Sequence, residues 1–278
     1  MYWTVVCTPW VVAMLTLCGC RMGFDRVGLG GDDTSLPDGS SDGGPRHDGP
    51  EGTLLVAPIV SWSLDGPGQT VVDSSGNGVD GVLGTSTAVE ASDPVWVATP
   101  ERVCSGGALT FDGTNDVVTV PGPSQANLST FSISFSLYAT GAGGGQLPRI
   151  LSKEDVVSDV IVHYRAADNA IAINMFNTGN TLFATFGSGV VLGQRANWVV
   201  SFDDAGDRRV HIYKNGAEVS YVRQDPMTGT LRTTTNAWMV GNQASGVRAL
   251  DGTLDAIRIY DTKLDTNEIA ALSALCPP

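Results

Sequence analysis

The chain has 278 residues, a formal net charge of −13, 34 glycines and only 16% charged residues. This length allows one large domain or two small ones. The acidic charge argues against a nucleic-acid partner and against an anionic membrane surface, because both need clustered Lys and Arg. Abundant glycine with few charged residues favours many short strands joined by tight turns.

The first twenty residues contain no charged side chain and are mostly apolar. They end in Leu17-Cys18-Gly19-Cys20, which resembles a bacterial lipobox. The resemblance implies that residues 1–20 are a lipoprotein signal peptide and that Cys20 carries a diacylglyceryl anchor. An uncleaved membrane anchor is the alternative, because twenty apolar residues can span a bilayer. Both place the remainder outside the cytoplasm, and Arg21 resembles the residue after the cysteine in outer-membrane lipoproteins, so we predict a lipid-anchored protein of the cell envelope.

Residues 21–53 are rich in Gly, Asp, Ser and Pro, and Phe24 is their one aromatic residue. Such a segment cannot bury enough apolar area to offset the entropy lost on ordering. We therefore predict a flexible tether over residues 21–53 and a single folded domain over residues 54–278.

Five cysteines are present, of which Cys7, Cys18 and Cys20 belong to the signal region. Cys104 and Cys276 remain in the predicted domain. In an oxidising compartment two such thiols predict a disulfide bond between Cys104 and Cys276. Two unpaired cysteines are the alternative.

From Pro58 onward, apolar and polar residues alternate with a period of two between turn residues, which is typical of half-buried strands. The segment FSISFSL at 131–137 places four apolar side chains on one face and three serines on the other. Trp198 and Trp238 open two further strands, and we interpret both as core residues. This many short strands suits a two-sheet sandwich better than one open sheet.

Two hairpins are predicted from turn residues between alternating runs. In RVHIYKNGAEVSYV, Asn215-Gly216 is the turn, since both residues tolerate positive φ. This segment places Ile212 inward and both His211 and Tyr213 outward. In GALTFDGTNDVVTV, a second hairpin is predicted to turn around residues 112–115.

One helix is predicted, near the end of the chain in KLDTNEIAALSAL. Asp265 can cap it, and Glu268 follows three residues later, as in a capping box. Three apolar residues, Ile269, Leu272 and Leu275, share one face. We predict a short C-terminal helix that covers one end of the sandwich.

Five segments in order resemble a known family: WSLDGPGQTVVDSSGNGVDGVLG, GALTFDGTNDVVTVPG, FSISFSLYA, NWVVSFDDAGDRRVHIYKNGAEV and WMVGNQASGVRALDGTLDAIRIYDTKLDTNEIAAL. Together they resemble LamG-like jelly rolls of the concanavalin A-like lectin/glucanase superfamily, over about residues 58–275. The resemblance implies an all-β fold, a two-sheet antiparallel jelly-roll sandwich with one short C-terminal helix. This fold hosts lectins, adhesion modules and hydrolases, so it does not specify a function.

The segment TVVDSSGNGVDGVLG contains the first half of an EF-hand-type calcium loop. Asp73, Ser75 and Asn77 offer oxygens at alternate positions, and Gly78 stands at the sharp bend. Position 12 of the loop is Gly84, which cannot supply the bidentate carboxylate. A missing acid must therefore come from elsewhere if calcium binds.

The family resemblance implies that the strand of WSLDG pairs with the last strand, GTLDAIRIY, and that Asp255 comes close to the loop. Relatives often carry a structural calcium in this region. We therefore predict a Ca²⁺ site formed by Asp73, Asn77 and Asp255, with backbone carbonyls near Gly78. The alternative is an Asx-turn cluster, in which Asp73 accepts hydrogen bonds from the N–H groups that follow it.

Catalytic patterns are weak. The glucanases of this fold carry E-x-D-x-x-E on one strand, whereas Glu154 and Asp155 are adjacent here and face opposite ways.

A polysaccharide lyase of this fold needs outward His, Tyr and Arg side chains. His163 shares a face with Arg165, and His211 shares one with Tyr213. These four residues are candidate ligand-binding residues, although polar side chains on solvated faces are common in antiparallel sheets. Three tyrosines are candidate exposed platforms: Tyr164, Tyr213 and Tyr221.

The sequence predicts a non-enzymatic, extracytoplasmic binding module for a glycan or an extracellular protein. One alternative is a structural envelope lipoprotein with no glycan ligand. A carbohydrate-active hydrolase or lyase is the third reading.

Overall fold

The computed structural model describes residues 47–48, 54–99, 101–104, 106–122, 128–145, 147–154 and 158–277. The predicted signal peptide, Cys20 and most of the predicted tether therefore lie outside the described residues.

Strand bounds follow the period-two segments of the sequence. In chain order the strands are β1 (His47–Asp48), β2 (Leu54–Leu55), β3 (Val60–Trp62), β4 (Thr70–Val71), β5 (Gly81–Leu83), β6 (Val95–Val97), β7 (Ala108–Asp112), β8 (Val118–Val120), β9 (Thr130–Ala139), β10 (Arg149–Ser152), β11 (Val160–Arg165), β12 (Ala170–Phe176), β13 (Leu182–Ser188), β14 (Arg195–Asp203), β15 (His211–Lys214), β16 (Ala217–Glu218), β17 (Tyr221–Gln224), β18 (Trp238–Val240) and β19 (Asp251–Tyr260). A short 3-10 helix spans Ala166–Asp168, and one α-helix, α1, spans Thr266–Leu275. Across the described residues, no helix has the length and hydrophobicity needed to cross a bilayer.

The strands form two large antiparallel sheets, which confirms the predicted two-sheet architecture. One sheet has nine strands in the order β17-β13-β12-β11-β10-β18-β8-β5-β4. The other has eight strands, in the order β16-β15-β14-β9-β19-β7-β6 with β3 paired to β19. The pairing of the first strand of the sandwich, β3, with the last, β19, is the one that the family resemblance implies. A separate pair, β1 with β2, begins inside the predicted tether.

The core lies between the two sheets and is built from the inward-facing residues of the alternating strands. Trp62, Trp198 and Trp238 are the largest fully buried side chains. The apolar positions of 131–137 point into the same cluster, as predicted. Burying such side chains is the main source of stability in a sandwich of this kind.

Asn215-Gly216 is the turn of a real hairpin. Strands β15 and β16 pair antiparallel on either side of it, and Asn215 (φ 49) and Gly216 (φ 86) both have the positive φ that this turn requires.

The predicted hairpin around residues 112–115 is wrong. Strand β7 pairs with β6 and β19 in the eight-stranded sheet, whereas β8 pairs with β5 and β18 in the nine-stranded sheet. Both edges of β7 are occupied, so β8 joins the opposite sheet and the connection crosses the rim. Alternation and turn residues are the same for a hairpin and for such a crossing, which is why the sequence did not distinguish them.

Helix α1 has the predicted capping box. The Asp265 side chain accepts from the Asn267 and Glu268 N–H groups, and the Glu268 side chain accepts from the Asp265 N–H. We predicted that the helix covers one end of the sandwich. Instead, it packs on the outer face of the eight-stranded sheet. Ile269 and Leu272 form a second apolar cluster there with outward side chains of β14, β15 and β19.

This docking buries the outer face of β9. Ser132, Ser134 and Ser136, which alternate with the core residues, are all buried. The Ser132 hydroxyl accepts a hydrogen bond from the Leu264 N–H at 2.9 Å, just before the helix begins. The eight-stranded sheet is therefore covered on both faces near β9, and exposed sites must lie elsewhere.

Candidate functional site

A disulfide joins Cys104 to Cys276 across a sequence separation of 172 residues, as predicted. Cys276 is the C-cap of α1, and Cys104 precedes β7. The Arg195 guanidinium donates to the Cys276 sulfur, and the Asn197 amide donates to the Cys276 carbonyl. The bond and these contacts hold the end of the helix against the outer face of the eight-stranded sheet.

The Asp73 carboxylate is occupied by protein donors on both oxygens. Oδ1 accepts from the N–H groups of Ser61 (2.8 Å) and Ser75 (2.9 Å). Oδ2 accepts from the Ser75 hydroxyl (2.7 Å) and from the Val79 N–H (3.0 Å). Although burial alone would raise the pKa of Asp73, these hydrogen bonds hold it below its usual value. This is the geometry of an Asx-turn cluster, the alternative that the sequence left open.

Asn77 and Gly78, which the sequence also assigns to the calcium site, stabilise the conformation of the same loop. The Asn77 amide donates to the Ile59 carbonyl at 2.9 Å, and the Asn77 N–H donates to the Ser75 hydroxyl at 3.3 Å. Gly78 has a φ of 69°, so its place in the loop needs glycine for backbone reasons. Nowhere in the described part of the chain do three or more His, Cys, Asp or Glu side chains form an arrangement that could hold a metal ion. Protein groups thus engage the Asp73 carboxylate and the Asn77 amide nitrogen, and the Ca²⁺ site stays a prediction.

Asp255 makes its contacts outside this loop. Its side chain is 1% exposed, and its Oδ2 accepts from the Cys104 N–H. Burial first, and then the charge of Asp65, raise the pKa of Asp255 to about 6. The carboxylate therefore belongs to the disulfide region of the structure rather than to the Asp73 loop.

The raised pKa of Asp255 predicts a pH dependence of stability. An unfolded aspartate has a pKa of about 3.9, so between about pH 4 and about pH 6 the folded state binds a proton that the unfolded state releases. The contribution of Asp255 to the free energy of unfolding should therefore fall as the pH rises through this window and level off above it. An Asp255→Asn variant keeps an acceptor for the Cys104 N–H. We expect its gain in stability over the wild type to grow through this window to about 3 kcal/mol at pH 7, because a shift of one pKa unit corresponds to about 1.4 kcal/mol.

Urea unfolding at several pH values between 4 and 7 measures this dependence. Asp116, whose pKa burial also raises to about 6, contributes in the same direction, whereas His163, whose pKa burial lowers to about 4, contributes in the opposite direction. Both contributions persist in the variant, so the difference between the two proteins reports on Asp255. Equal pH profiles in the wild type and the variant would contradict the assignment to Asp255.

His163 and Arg165 lie on the outer face of the nine-stranded sheet, as predicted, but they do not form an exposed pair. His163 is 1% exposed, and burial, together with the charge of Arg149, lowers its pKa to about 4. The ring is therefore neutral at pH 7 and is closed to a polymeric ligand. Arg165 is half-buried and pairs with Asp168.

Cross-strand register places five residues in one row over the same face: Arg149, His163, Ala172, Phe186 and Arg223. We call this set the Phe186 row.

The arginines of this face stack on the ring and pair with acids. The guanidiniums of Arg165 and Arg223 lie 4.7 and 5.8 Å from the centre of the Phe186 ring. Three arginines along this face are each paired with an acid: Arg149 with Glu154, Arg165 with Asp168 and Arg223 with Asp225. The face is therefore polar and balanced in charge.

The predicted outward pair His211 and Tyr213 is not available as a ligand site. Both ring nitrogens of His211 are engaged, with Glu218 Oε1 at 2.7 Å and with Asp207 Oδ2 at 2.8 Å. Tyr213 is 8% exposed and belongs to the apolar cluster beneath α1. The prediction for Tyr213 was wrong because the helix packs on the face that alternation alone assigns to solvent.

The proposed tyrosine platforms are also wrong. Tyr164 is 1% exposed and belongs to the core. Tyr221 packs against the same core, and its hydroxyl donates to Glu218 Oε1 at 2.6 Å and accepts from the Ile212 N–H at 2.9 Å. Period-two patterning does not show which sheet face carries another element, so it could not separate these rings from exposed ones.

Comparison with known proteins supports the fold. The family described as the concanavalin A-like lectin/glucanases superfamily matches residues 112–270. No curated protein sequence matches this chain.

Several solved structures are similar. The binding domain of Paraclostridial Mosquitocidal Protein 1 gives a TM-score of 0.59 at 13% identity, covering 78% of this chain and 52% of that one. Domain 4 of the extracellular arabinanase AbnA from Geobacillus stearothermophilus, in complex with arabinotriose, gives 0.57 at 17% identity, covering 78% and 98%. Trypanosoma rangeli sialidase gives 0.54 at 16% identity, covering 78% and 33%. This chain thus spans about half of the first of these structures, and at such identities the likeness shows the fold alone.

Proposed function

Because this chain belongs to the concanavalin A-like lectin/glucanases superfamily, matched over more than half of its length, we propose that it is a non-enzymatic module that binds carbohydrate. The observation that carries the proposal is a complete two-sheet sandwich that aligns with 98% of an arabinanase domain in complex with arabinotriose. An extracellular protein is the second candidate ligand, since the similar structures include binding domains of protein toxins. Fold similarity supports a class of ligand and does not identify one.

The state of the candidate catalytic residues supports binding over catalysis. Glu154 is held by Arg149 through two hydrogen bonds, at 2.5 and 3.0 Å, so it is not a free nucleophile or acid. His163, which a lyase would need at the surface, is buried. Asp155 lies outside the described residues.

The cellular setting is proposed from the sequence alone. Lipidation of Cys20 and a tether over residues 21–53 would hold the sandwich outside the cytoplasm, attached to the cell envelope. A binding module on such a tether can reach ligands that diffuse past the surface.

A glycan array tests the proposed function. We expect the purified protein to bind a defined subset of immobilised glycans, and free glycan of the same structure to compete for that binding. Absence of signal across neutral and acidic glycans, with the protein shown to be folded by circular dichroism, would contradict carbohydrate binding and favour a protein ligand.

A further inference from the structure

The free edges of the two sheets meet at a cleft of about 200 Å³. Strand β4 ends the nine-stranded sheet, β6 ends the eight-stranded sheet, and the segment 63–69 connects β3 to β4. The residues that line the cleft include Ser63, Asp65, Pro67, Thr70, Val72 and Trp96. We call this site the Trp96 cleft. No motif in the sequence marks this cleft.

The wall formed by residues 63–68 has an unusual backbone. Leu64 has a φ of 58°, and Gly66 and Gly68 also have positive φ, at 31° and 119°. A residue other than glycine in this region costs about 1–3 kcal/mol, and such strain is concentrated at ligand sites. The Leu64 side chain is buried in the core, which anchors the segment in this conformation.

Trp96, on β6 at the end of the eight-stranded sheet, holds the same wall in place. Its indole N–H donates to the Gly68 carbonyl at 2.8 Å, so the ring is held in one orientation. Gly66 packs directly on the indole, since a Cβ there would lie 2.4 Å from Trp96 Cδ2. Asp65 Oδ1 accepts from the Gly107 N–H at 2.9 Å, which orients the carboxylate. The cleft is therefore shaped before any ligand arrives, which reduces the entropy lost on binding.

The polar groups of the cleft remain open. Within the described chain, Asp65 Oδ2 and the hydroxyls of Ser63 and Thr70 have no hydrogen-bond partner. Trp96, Pro67 and Val72 provide apolar surface beside them. None of the residues that line the cleft is Lys, Arg or His. Apolar walls with a few convergent acceptors and hydroxyls are typical of small-molecule sites.

We propose that the Trp96 cleft binds a single neutral sugar residue at the end of a glycan. Asp65 accepts hydrogen bonds from the sugar hydroxyls, and Trp96 and Val72 contact its C–H surface. The volume is below the range of about 300–1,000 Å³ for drug-sized ligands, which limits the occupant to about one ring. Uronic and sialic acids are disfavoured, because their carboxylates would face Asp65 without a compensating cation. This inference rests on the proposed carbohydrate-binding function.

Titration of ¹⁵N-labelled protein tests the location. The probes are three neutral methyl glycosides, of glucose, galactose and arabinose, and the methyl glycoside of glucuronic acid. We expect at least one neutral glycoside to shift the Trp96 indole N–H and the amide signals of residues 63–72, and the glucuronide to bind at least tenfold more weakly.

Two exposed valines provide a matched pair of blocking variants. Val72 (64% exposed) lines the cleft, whereas Val95 (63% exposed) does not. Val72→Trp should weaken binding of the neutral glycoside at least tenfold, and Val95→Trp should leave it unchanged. Equal affinities in the two variants would overturn the assignment.

Asp65→Asn tests the selectivity. It keeps an acceptor for the Gly107 N–H but removes the charge, so we expect weaker binding of the neutral glycoside and a smaller preference over the glucuronide. Asp261→Asn, at an exposed acid outside the cleft, is the control for charge. An unchanged preference in Asp65→Asn would count against the proposal.

The outcomes separate the two proposals. Shifts confined to the Phe186 row, or binding of array glycans without any shift in the cleft, would overturn the cleft and leave the proposed function standing. Absence of binding both on the array and in the titration would overturn both.

Discussion

Removal of the disulfide in a Cys104→Ser/Cys276→Ser variant is expected to lower the free energy of unfolding by about 2–5 kcal/mol. The bond closes a loop with a sequence separation of 172 residues, and so restricts most of the unfolded domain. It also secures α1, which buries only Ile269 and Leu272 against the sheet. Guanidinium unfolding followed by tryptophan fluorescence measures the change.

Reduction supplies the control for this prediction. Dithiothreitol should destabilise the wild-type protein by a similar amount and leave the double variant unchanged. A variant whose unfolding midpoint equals that of the oxidised wild type would show that the bond contributes nothing to stability.

Asp73→Ala is expected to cost about 2–4 kcal/mol, because it leaves three backbone N–H groups without their acceptor. These groups belong to Ser61, Ser75 and Val79, so the substitution loosens both β3 and the loop that follows β4. Asp73→Asn retains one acceptor oxygen and should lose less. Thermal unfolding of the two variants beside the wild type measures the difference.

The same experiment decides between hydrogen bonding and calcium at this loop. Because protein donors occupy both Asp73 oxygens, we expect equal melting temperatures in CaCl₂ and in EDTA. A melting temperature that rises with calcium in the wild type but not in Asp73→Ala would restore the calcium site that the sequence predicted.

Short-range sequence patterns were sufficient to predict most of the strands, one hairpin and the C-terminal helix. Alternation assigned the residues of 131–137 to the core, Asn215-Gly216 marked a hairpin, and the spacing of Asp265 and Glu268 marked the start of α1. Each of these features depends on side chains within a few residues of one another, so their signal is present in the sequence itself.

The predictions that were wrong concern which helix or strand packs against which face or edge of a sheet. Tyr213 was assigned to solvent because the sequence does not show that α1 packs on its face. The crossing from β7 to β8 was taken for a hairpin because turn residues do not reveal which strands already occupy an edge. Such features depend on contacts between residues far apart in the chain.

The Trp96 cleft could not be predicted from short sequence motifs. Trp96 and Asp65 are separated by 31 positions, and they meet only because β4 and β6 end different sheets on the same side of the sandwich. The Gly-Pro-Gly sequence at 66–68 does not indicate the positive φ of Leu64 beside it. The cleft is a product of the assembled sandwich.

Native mass spectrometry of the protein with neutral oligosaccharides tests most directly the central claim, that this sandwich binds carbohydrate without cleaving it. We predict a one-to-one complex whose added mass equals that of the intact oligosaccharide, with the free oligosaccharide unchanged in length after prolonged incubation. Shortened oligosaccharides, or protein that stays unliganded at millimolar concentrations of every glycan tested, would contradict it.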